Sequence, residues 1–166
     1  MYDVIAVPAP PVPSTIEVQA RDGWNIPNGR VADPDPTAVA VTEQQIQLIF
    51  PEAIKVAPAT GWYNCHGLTF ATRRTFVPPW GTPIGNLVES ILQRDGYVAL
   101  GTAPPRVGDV AVYRDPQTHE VSHTGYVSRV TGGTIWVWSK WGTLAEYEHP
   151  AGVGLYGAPE FWRLAT

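Results

Sequence analysis

The chain has 166 residues, with 11 Lys and Arg, 15 Asp and Glu, a formal net charge of −4 and one cysteine. This length suits one domain with a sizeable core better than two. The acidic balance and the absence of a long basic run exclude nucleic-acid binding through phosphate neutralisation. A single cysteine cannot form an internal disulfide, so the core must stabilise the fold, and the redox compartment stays open.

No segment has the pattern of membrane insertion or of classical secretion. Residues 1–8 lack the basic start and uninterrupted apolar stretch of a signal peptide, and no apolar run approaches the length that crosses a bilayer. We therefore expect a soluble monomer without a membrane partner. Export by another route, or from a longer precursor, is left open.

The N-terminal region is rich in proline and is predicted to be extended. Prolines recur between residues 8 and 13, and each one fixes φ and removes a backbone donor. We divide the chain into this Pro-rich arm, residues 1–38, and an α+β domain, residues 39–166. The composition of the arm is typical of a linker or a surface strap, and the alternation over residues 15–20 predicts an additional edge strand.

Two helices are predicted on either side of Pro51. A capping-box pattern places Thr42 at the N-cap of the first helix, and Pro51 stops it. The second helix begins at Cys65, after the loop of residues 61–64, and runs to about Arg73. The first residue of a helix meets unpaired backbone N–H groups and the positive end of the helix dipole, and both favour a thiolate.

A third helix and a set of strands complete the predicted elements. Thr82 is expected to cap the helix, a proline takes its N1 position, and Gly96 ends it. After Gly96 the hydrophobic period changes from 3.6 to 2, and a Gly-Gly pair at 132–133 indicates a hairpin turn. Strands are predicted at residues 97–100, 110–113, 124–130, 134–139 and 161–164. Helices followed by antiparallel strands predict an α+β fold, with the sheet packed against the helix that starts at Cys65.

Cys65 and His123 together suggest nucleophilic catalysis. A cysteine hydrolase needs a thiolate, an imidazole that exchanges the proton, a group that orients the imidazole, and donors for the oxyanion. The strand that follows His123 would bring the imidazole beside Cys65 if that strand lies next to the helix start. Ser139 or Lys140, at the end of the next strand, could reach the far nitrogen of His123.

Three segments of this region resemble a known superfamily in order and spacing. They are Tyr63-Asn64-Cys65-His66-Gly67-Leu68, Val107-Gly108-Asp109-Val110-Ala111-Val112-Tyr113 and Ser122-His123-Thr124-Gly125-Tyr126-Val127. Over residues 60–140 the pattern is similar to that of papain-like cysteine hydrolases of the NlpC and CHAP type. In that superfamily a cysteine opens a helix packed on an antiparallel sheet, and a histidine stands at the start of a strand. The resemblance implies a papain-like α+β fold.

The resemblance also implies roles for individual residues. Cys65 would be the nucleophile, His123 the base, and the Cys65 N–H part of the oxyanion hole. Ser139 would take the third position of the triad, where such families usually have His, Asn, Asp or Gln. A neutral hydroxyl stabilises an imidazolium less than a carboxylate does. Substrate contacts are predicted for Trp62, Tyr63, Asn64, Lys140 and Trp141.

Other residues have simpler interpretations. A lone cysteine is most often a small buried hydrophobic residue, and it is the helix-start context and His123 that favour a catalytic role for Cys65. His66 is predicted to line the pocket or the surface, and His119 to lie solvated in a turn. A metal site built from these cysteine and histidine residues matches no zinc-finger or zinc-ribbon spacing.

Three classes of function stay open at this point. The leading prediction is a thiol-dependent amidase or peptidase with a peptide or protein substrate, and the resemblance implies bacterial cell-wall peptides. The second is an effector-type deamidase, transglutaminase or acyltransferase that acts on a protein. The third is an inactive binding module that keeps the fold. Covalent thiol chemistry requires no cofactor.

Overall fold

The computed structural model describes residues 12–13, 16–78, 86–154 and 156–165. The helices in these ranges are α1 (Pro36–Ile49), α2 (Cys65–Ala71) and α3 (Leu87–Asp95). The strands are β1 (Val12–Pro13), β2 (Gly29–Arg30), β3 (Ile54–Ala57), β4 (Tyr97–Ala99), β5 (Val110–Arg114), β6 (Val121–Thr131), β7 (Thr134–Lys140), β8 (Glu146–Pro150) and β9 (Glu160–Leu164).

One antiparallel sheet contains seven of these strands, in the order β3-β8-β7-β6-β5-β9-β4. The predicted α+β class is therefore confirmed, and so are the five predicted strands, with bounds that differ by one to a few residues. β6 and β7 form a hairpin whose turn residues, Gly132 and Gly133, have φ values of 59° and 81°. Two consecutive positive φ values are typical of the type I′ turn that Gly-Gly predicts.

Two strands of the sheet were missed from the sequence. β3 lies before α2 in the chain and forms the outer edge of the sheet against β8, so the order is not simply helices and then strands. β8 carries two glutamates and a histidine in five residues, a composition that usually indicates a solvated loop. The contacts that these polar side chains make inside the protein are described below.

α1 begins earlier than the capping-box prediction. Asp35 is its N-cap, accepting the N–H of Ala38 at 2.9 Å, and Pro36 takes the first helical position. An acidic cap followed by proline is a strong helix start, because proline fixes a helical φ and its missing N–H needs no partner there. The prediction of Thr42 as the cap is wrong: its hydroxyl donates to the Ala38 carbonyl inside the helix.

α3 is capped by Asn86, whose side chain accepts the N–H groups of Val88 and Glu89 at 3.0 and 3.4 Å. The predicted cap, Thr82, lies outside the described residues. Gly96 ends the helix in the left-handed conformation, with φ at 81°, as predicted. None of the helices in the described ranges is long and apolar enough to span a bilayer.

Part of the predicted Pro-rich arm contributes to the core. Val18, Ala20 and Ile26 are buried and pack with Leu87 and Ile91 of α3. The predicted edge strand over residues 15–20 is wrong: in its described part, only an isolated bridge pairs Gln19 with Asn25. The division of the chain at residue 38 stays a prediction.

The two faces of the sheet have different covers. On the face that we call the helix face, Val110 and Val112 pack with Val88 and Leu92 of α3. On the opposite face, which we call the far face, Ala111, Tyr113 and Val137 pack with Ala151, which follows β8. Because side chains alternate along a strand, each residue of β5, β6 and β7 can be assigned to one face.

Candidate active site

The start of α2 is fixed by Asn64, the residue before the cysteine. Its side-chain oxygen accepts the N–H of Gly67 at 2.9 Å and that of Val77 at 3.1 Å, and its amide donates to the Val77 carbonyl at 2.7 Å. Asn64 is buried, and these bonds cap the helix and tie it to the segment that follows. The side chain therefore supports Cys65 rather than facing a substrate, in contrast to the predicted contact.

The Cys65 sulfur lies among backbone donors. The N–H groups of Thr124, His66 and Cys65 itself point a partial positive charge at it, and together with the nearby Lys140 charge they lower its pKa. Burial is the larger effect and raises the pKa of the thiol to about 11. The resting residue is a protonated thiol, surrounded by groups that would stabilise its anion once the site opens.

α2 reaches the sheet where β6 and β7 separate. The pairing of these strands starts at Gly125 and Ser139, and Thr124 lies one residue before that point. The N–H of Thr124 bonds to the Cys65 sulfur, while its side-chain oxygen lies 2.9 Å from Nδ1 of His66, on α2. The thiol is therefore held beside the peptide that joins His123 to Thr124.

His123 projects on the far face, and its imidazole is fully buried there. Its direct partner in β5 is Tyr113, and Tyr156 stacks on its ring with centroids 3.7 Å apart and planes 4° apart. Both ring nitrogens are buried and have no hydrogen-bond partner in the part of the chain that the structure describes. Burial, followed by the charges of His66 and His149, lowers the pKa of His123 well below its usual value. A neutral ring has one unprotonated nitrogen, as a base requires. Unpaired polar atoms in a protein interior are rare and costly, so the two ring nitrogens of His123 mark a candidate functional group.

Tyr156 is a neighbour of both the His123 imidazole and the Cys65 thiol. Burial and the charge on Cys65 both raise the pKa of the Tyr156 hydroxyl. A charge on the sulfur is therefore felt at the Tyr156 hydroxyl, whose ring covers His123.

Ser139 does not orient His123, contrary to the prediction. Its hydroxyl lies 3.0 Å from Nε2 of His149 and accepts a bond from the Trp141 indole at 3.1 Å. Because Nδ1 of His149 faces the Pro150 carbonyl at 2.9 Å, Nδ1 carries the proton and Nε2 accepts from Ser139. Ser139 and His149 lie on the far face of neighbouring strands. The serine hydroxyl donates its proton to His149, so it cannot donate to another group.

Trp62 has the most exposed surface of the five predicted substrate contacts. The exposed fraction of Trp62 is 52 %, and the Arg30 guanidinium lies 4.3 Å from its ring centroid. Trp141 is 1 % exposed and packs edge-on against Phe50, so it belongs to the core. Tyr63, Asn64 and Lys140 are also buried.

A buried carboxylate beside the site was missed from the sequence. Glu146 accepts bonds from the Tyr63 hydroxyl at 2.6 Å, from the Trp138 indole at 2.6 Å, and from Arg73 at 2.7 and 3.0 Å. The Tyr63 hydroxyl is therefore committed to Glu146 and is not directed at an oxyanion. The missed strand β8 was the available signal: alternation there places Glu146 on the helix face, opposite Lys140.

Replacing Glu146 with Gln is expected to lower the free energy of unfolding at pH 7 by about 3 kcal/mol, because Arg73 loses its buried partner. Burial raises the pKa of Glu146, but its hydrogen bonds hold the net value below 4.5. This carboxylate therefore stabilises the fold above the unfolded-state pKa, and that stability is lost as the pH falls below about 4.5. Urea denaturation from pH 2.5 to 7 should show a flatter acid limb in the variant.

The exposed Glu120 provides the control for that experiment, since Glu120→Gln should change stability by less than about 0.5 kcal/mol. Equal stabilities of the Glu146→Gln and wild-type proteins at pH 7 would show that the network contributes nothing to folding.

The remaining histidines divide between core and surface. His66 is buried against Thr124, and burial lowers its pKa to about 3, so it is a core residue rather than a surface one. His119 is exposed in a turn, with φ at 60°, as predicted. Within the described ranges, no group of three or more His, Cys, Asp or Glu side chains is arranged to hold a metal ion.

The fold and this site define a class of protein: an α+β domain with a thiol at a helix start, beside an antiparallel strand that carries an imidazole. Comparison with protein families identifies the class. The model of the CHAP domain matches residues 56–140, just over half of the chain, and the chain therefore belongs to the CHAP domain family. Membership indicates, in general terms, amidase or peptidase activity on peptidoglycan. No curated protein and no solved structure matches the chain.

Proposed function

We propose that the chain is a thiol-dependent amidase or peptidase that cleaves amide bonds in peptidoglycan peptides, with Cys65 as nucleophile and His123 as base. The observation that carries this proposal is the buried imidazole of His123, which has no hydrogen-bond partner among the described residues. This imidazole lies one peptide away from the Thr124 N–H, which bonds to the sulfur of Cys65, the sole cysteine of the chain. Family membership supports the class of substrate.

The reaction follows from these two side chains. His123 takes the proton of the Cys65 thiol, and the sulfur attacks the amide carbonyl to form a tetrahedral intermediate. His123 then gives that proton to the leaving nitrogen as the C–N bond breaks, which leaves a thioester and a free amine. In the second half, water attacks the thioester while His123 takes its proton. Return of this proton to the sulfur releases the carboxylic acid and restores the thiol.

The resting geometry requires one adjustment before this chemistry. The sulfur and both imidazole nitrogens are buried, and Tyr156 covers the ring of His123. Catalytic hydrogen bonds are often long or absent in ligand-free enzymes and form when the substrate binds. We propose that substrate displaces the Tyr156 ring and that the imidazole then turns towards Cys65.

A groove next to the loop before Cys65 suits a peptide with a basic group. It has a volume of about 410 Å³ and is lined in part by Asp33, Pro36, Glu43 and Lys55. Among the described residues, one carboxylate oxygen of Glu43 is buried without a hydrogen-bond partner, while the other accepts a bond from Lys55 at 2.7 Å, so Asp33 supplies the net negative charge of the groove. Asp33 accepts the N–H of Gly61 at 2.8 Å, so the groove adjoins the loop that presents the exposed Trp62.

The test is digestion of purified peptidoglycan, followed by mass spectrometry of the soluble products and assay of new amino groups. Wild-type protein is expected to release fragments with one new amine for each bond cleaved. Protein pre-treated with iodoacetamide should release none, because Cys65 is the sole cysteine. Turbidity loss and amine release that persist after complete alkylation would refute the thiol mechanism.

An inactive binding module is the second candidate, and one observation favours it. Burial raises the pKa of the Cys65 thiol to about 11, as expected for a structural cysteine. Such a module would co-sediment with insoluble peptidoglycan and release no amine, even with an excess of protein over several days. If amine is released at any measurable rate and alkylation abolishes that release, the protein is an enzyme rather than a binding module.

A further inference from the structure

Lys140, the last residue of β7, is a buried cation that forms no ion pair with the residues the structure describes. Its side chain is fully buried, and the salt bridges in the described part of the chain do not include it. Its ammonium donates to the Leu144 carbonyl and lies 5.2 Å from the ring centroid of Tyr63. A carbonyl and an aromatic face compensate an ammonium only in part, so a buried charge of this kind requires an anion nearby.

The nearest carboxylate is already neutralised. Glu146 is the direct partner of Lys140 in the pairing of β7 with β8. Both of its oxygens, however, bond to Arg73, and the Tyr63 hydroxyl and Trp138 indole fill its remaining positions. The charges of Arg73 and Glu146 thus sum to zero, and the charge of Lys140 is not compensated by this pair.

Asp33 is the other carboxylate whose charge acts on Lys140. Its Oδ1 accepts bonds from the Thr60 hydroxyl and the Gly61 N–H, both at 2.8 Å. These bonds hold Asp33 at the loop before the site, where it is in contact with solvent. Its charge is therefore screened more strongly than a buried charge would be.

The Cys65 sulfur is the remaining group near Lys140 that can carry a negative charge. Extending the pairing of Gly125 with Ser139 by one residue puts Lys140 opposite Thr124, the residue whose N–H bonds to the sulfur. Tyr63, whose ring faces the ammonium, lies two residues before Cys65. The lysine and the thiol thus lie near the start of α2 on neighbouring elements, with Tyr63 in contact with the ammonium.

We propose that the Lys140 ammonium is the counter-ion of the Cys65 thiolate, and that this charge assists formation of the nucleophile where no carboxylate orients His123. The catalytic role of this pair rests on the proposed function, whereas the interaction between the two charges is independent of it. Lys140 acts here as a positioning residue, since the proton of the thiol still passes to His123.

The electrostatics of the two groups agree with this pairing. Burial lowers the pKa of Lys140 to about 8, while the charges on Glu146, Cys65 and Asp33 raise it. The lysine charge in turn lowers the pKa of Cys65 against the effect of burial. At neutral pH the ammonium is therefore present beside a protonated thiol, and its charge favours ionisation of that thiol when the site opens.

Alkylation of Cys65 by iodoacetamide from pH 6 to 10, followed by intact mass, tests the proposal directly. Lys140→Met keeps the length of the side chain and removes its charge, whereas Lys140→Arg keeps the charge. At pH 7.5 Lys140→Met should react about 10- to 100-fold more slowly than wild type, with its midpoint shifted upwards, and Lys140→Arg should restore most of the rate. A folded Lys140→Met protein with the wild-type pH profile would overturn the proposal.

A reciprocal measurement covers the case in which Lys140→Met does not fold. The sulfur acts on the lysine only while it is charged, so the comparison uses Cys65→Asp, which places an anion at this position, and Cys65→Ala, which places none. Titration of Lys140 by NMR should give a higher pKa in Cys65→Asp than in Cys65→Ala; equal values would refute the pair. Peptidoglycan digestion by the wild-type protein is measured separately. If the protein does not hydrolyse peptidoglycan but Lys140→Met still shifts the alkylation profile, the proposed function is refuted and the charge pair is supported.

Discussion

The Cys65→Ala and His123→Ala proteins are each expected to lose at least about 1,000-fold in kcat/KM for peptidoglycan hydrolysis. Cys65 would form the covalent bond, and the His123 imidazole forms no hydrogen bond with the described residues that would give it another role. A nucleophile and its base act as one unit, so the double variant should be no slower than the slower single variant. Amine release from purified peptidoglycan measures all three proteins.

His119→Ala is the matched control for the loss of an imidazole, because His119 is exposed in a turn. It should retain wild-type activity. Circular dichroism and urea denaturation should show that the Cys65 and His123 variants are folded. A folded His123→Ala protein with more than a tenth of the wild-type rate would contradict the assignment of His123 as the base.

Gly67→Ala is expected to destabilise the protein by about 3 kcal/mol or more, although alanine is the better helix former by about 1 kcal/mol. A Cβ on Gly67 would lie 1.9 Å from the Thr75 carbonyl oxygen and 3.0 Å from Cβ of Tyr63. The first of these atoms belongs to the backbone, so α2 or the segment at Thr75 must shift. The midpoint of urea denaturation should fall, and the rate of Cys65 alkylation should rise because displacement of α2 exposes the buried thiol.

Gly152→Ala separates this clash from a general effect of adding a methyl group. No atom lies within 4 Å of a Cβ at Gly152, which is exposed and outside the helices and strands. Its stability should match that of wild type or slightly exceed it. A Gly67→Ala protein as stable as Gly152→Ala would show that α2 and its neighbour separate without cost.

Local chemistry made much of the fold predictable. The start of α2 could be placed because the loop of residues 61–64 is followed directly by an apolar helix face in the sequence. The hairpin of β6 and β7 followed from alternation and from two consecutive glycines, which are signals within a few residues. The cap of α1 shows the limit of such signals, because Asp35 with Pro36 and Thr42 with its following Gln are both plausible starts.

Long-range contacts explain what could not be predicted. Glu146 is buried because Arg73, 73 residues earlier in the chain, reaches it, and no local pattern contains that pairing. Ser139 was correctly placed at the end of a strand, but its partner depends on the register with β8, which was not predicted. Trp141 looked like a wall of the cleft because burial of an aromatic ring is invisible in a sequence.

The burial of Cys65 also affects how the protein resists oxidation. Oxidants react with the thiolate rather than the thiol, and sulfenic acid forms fastest at exposed sites. A protonated thiol that is 5 % exposed meets neither condition. As the sole cysteine, it also lacks a resolving thiol within the same chain. Storage in air should therefore yield little sulfinic acid and few disulfide-linked dimers, so that the nucleophile becomes vulnerable mainly while the site is open for turnover.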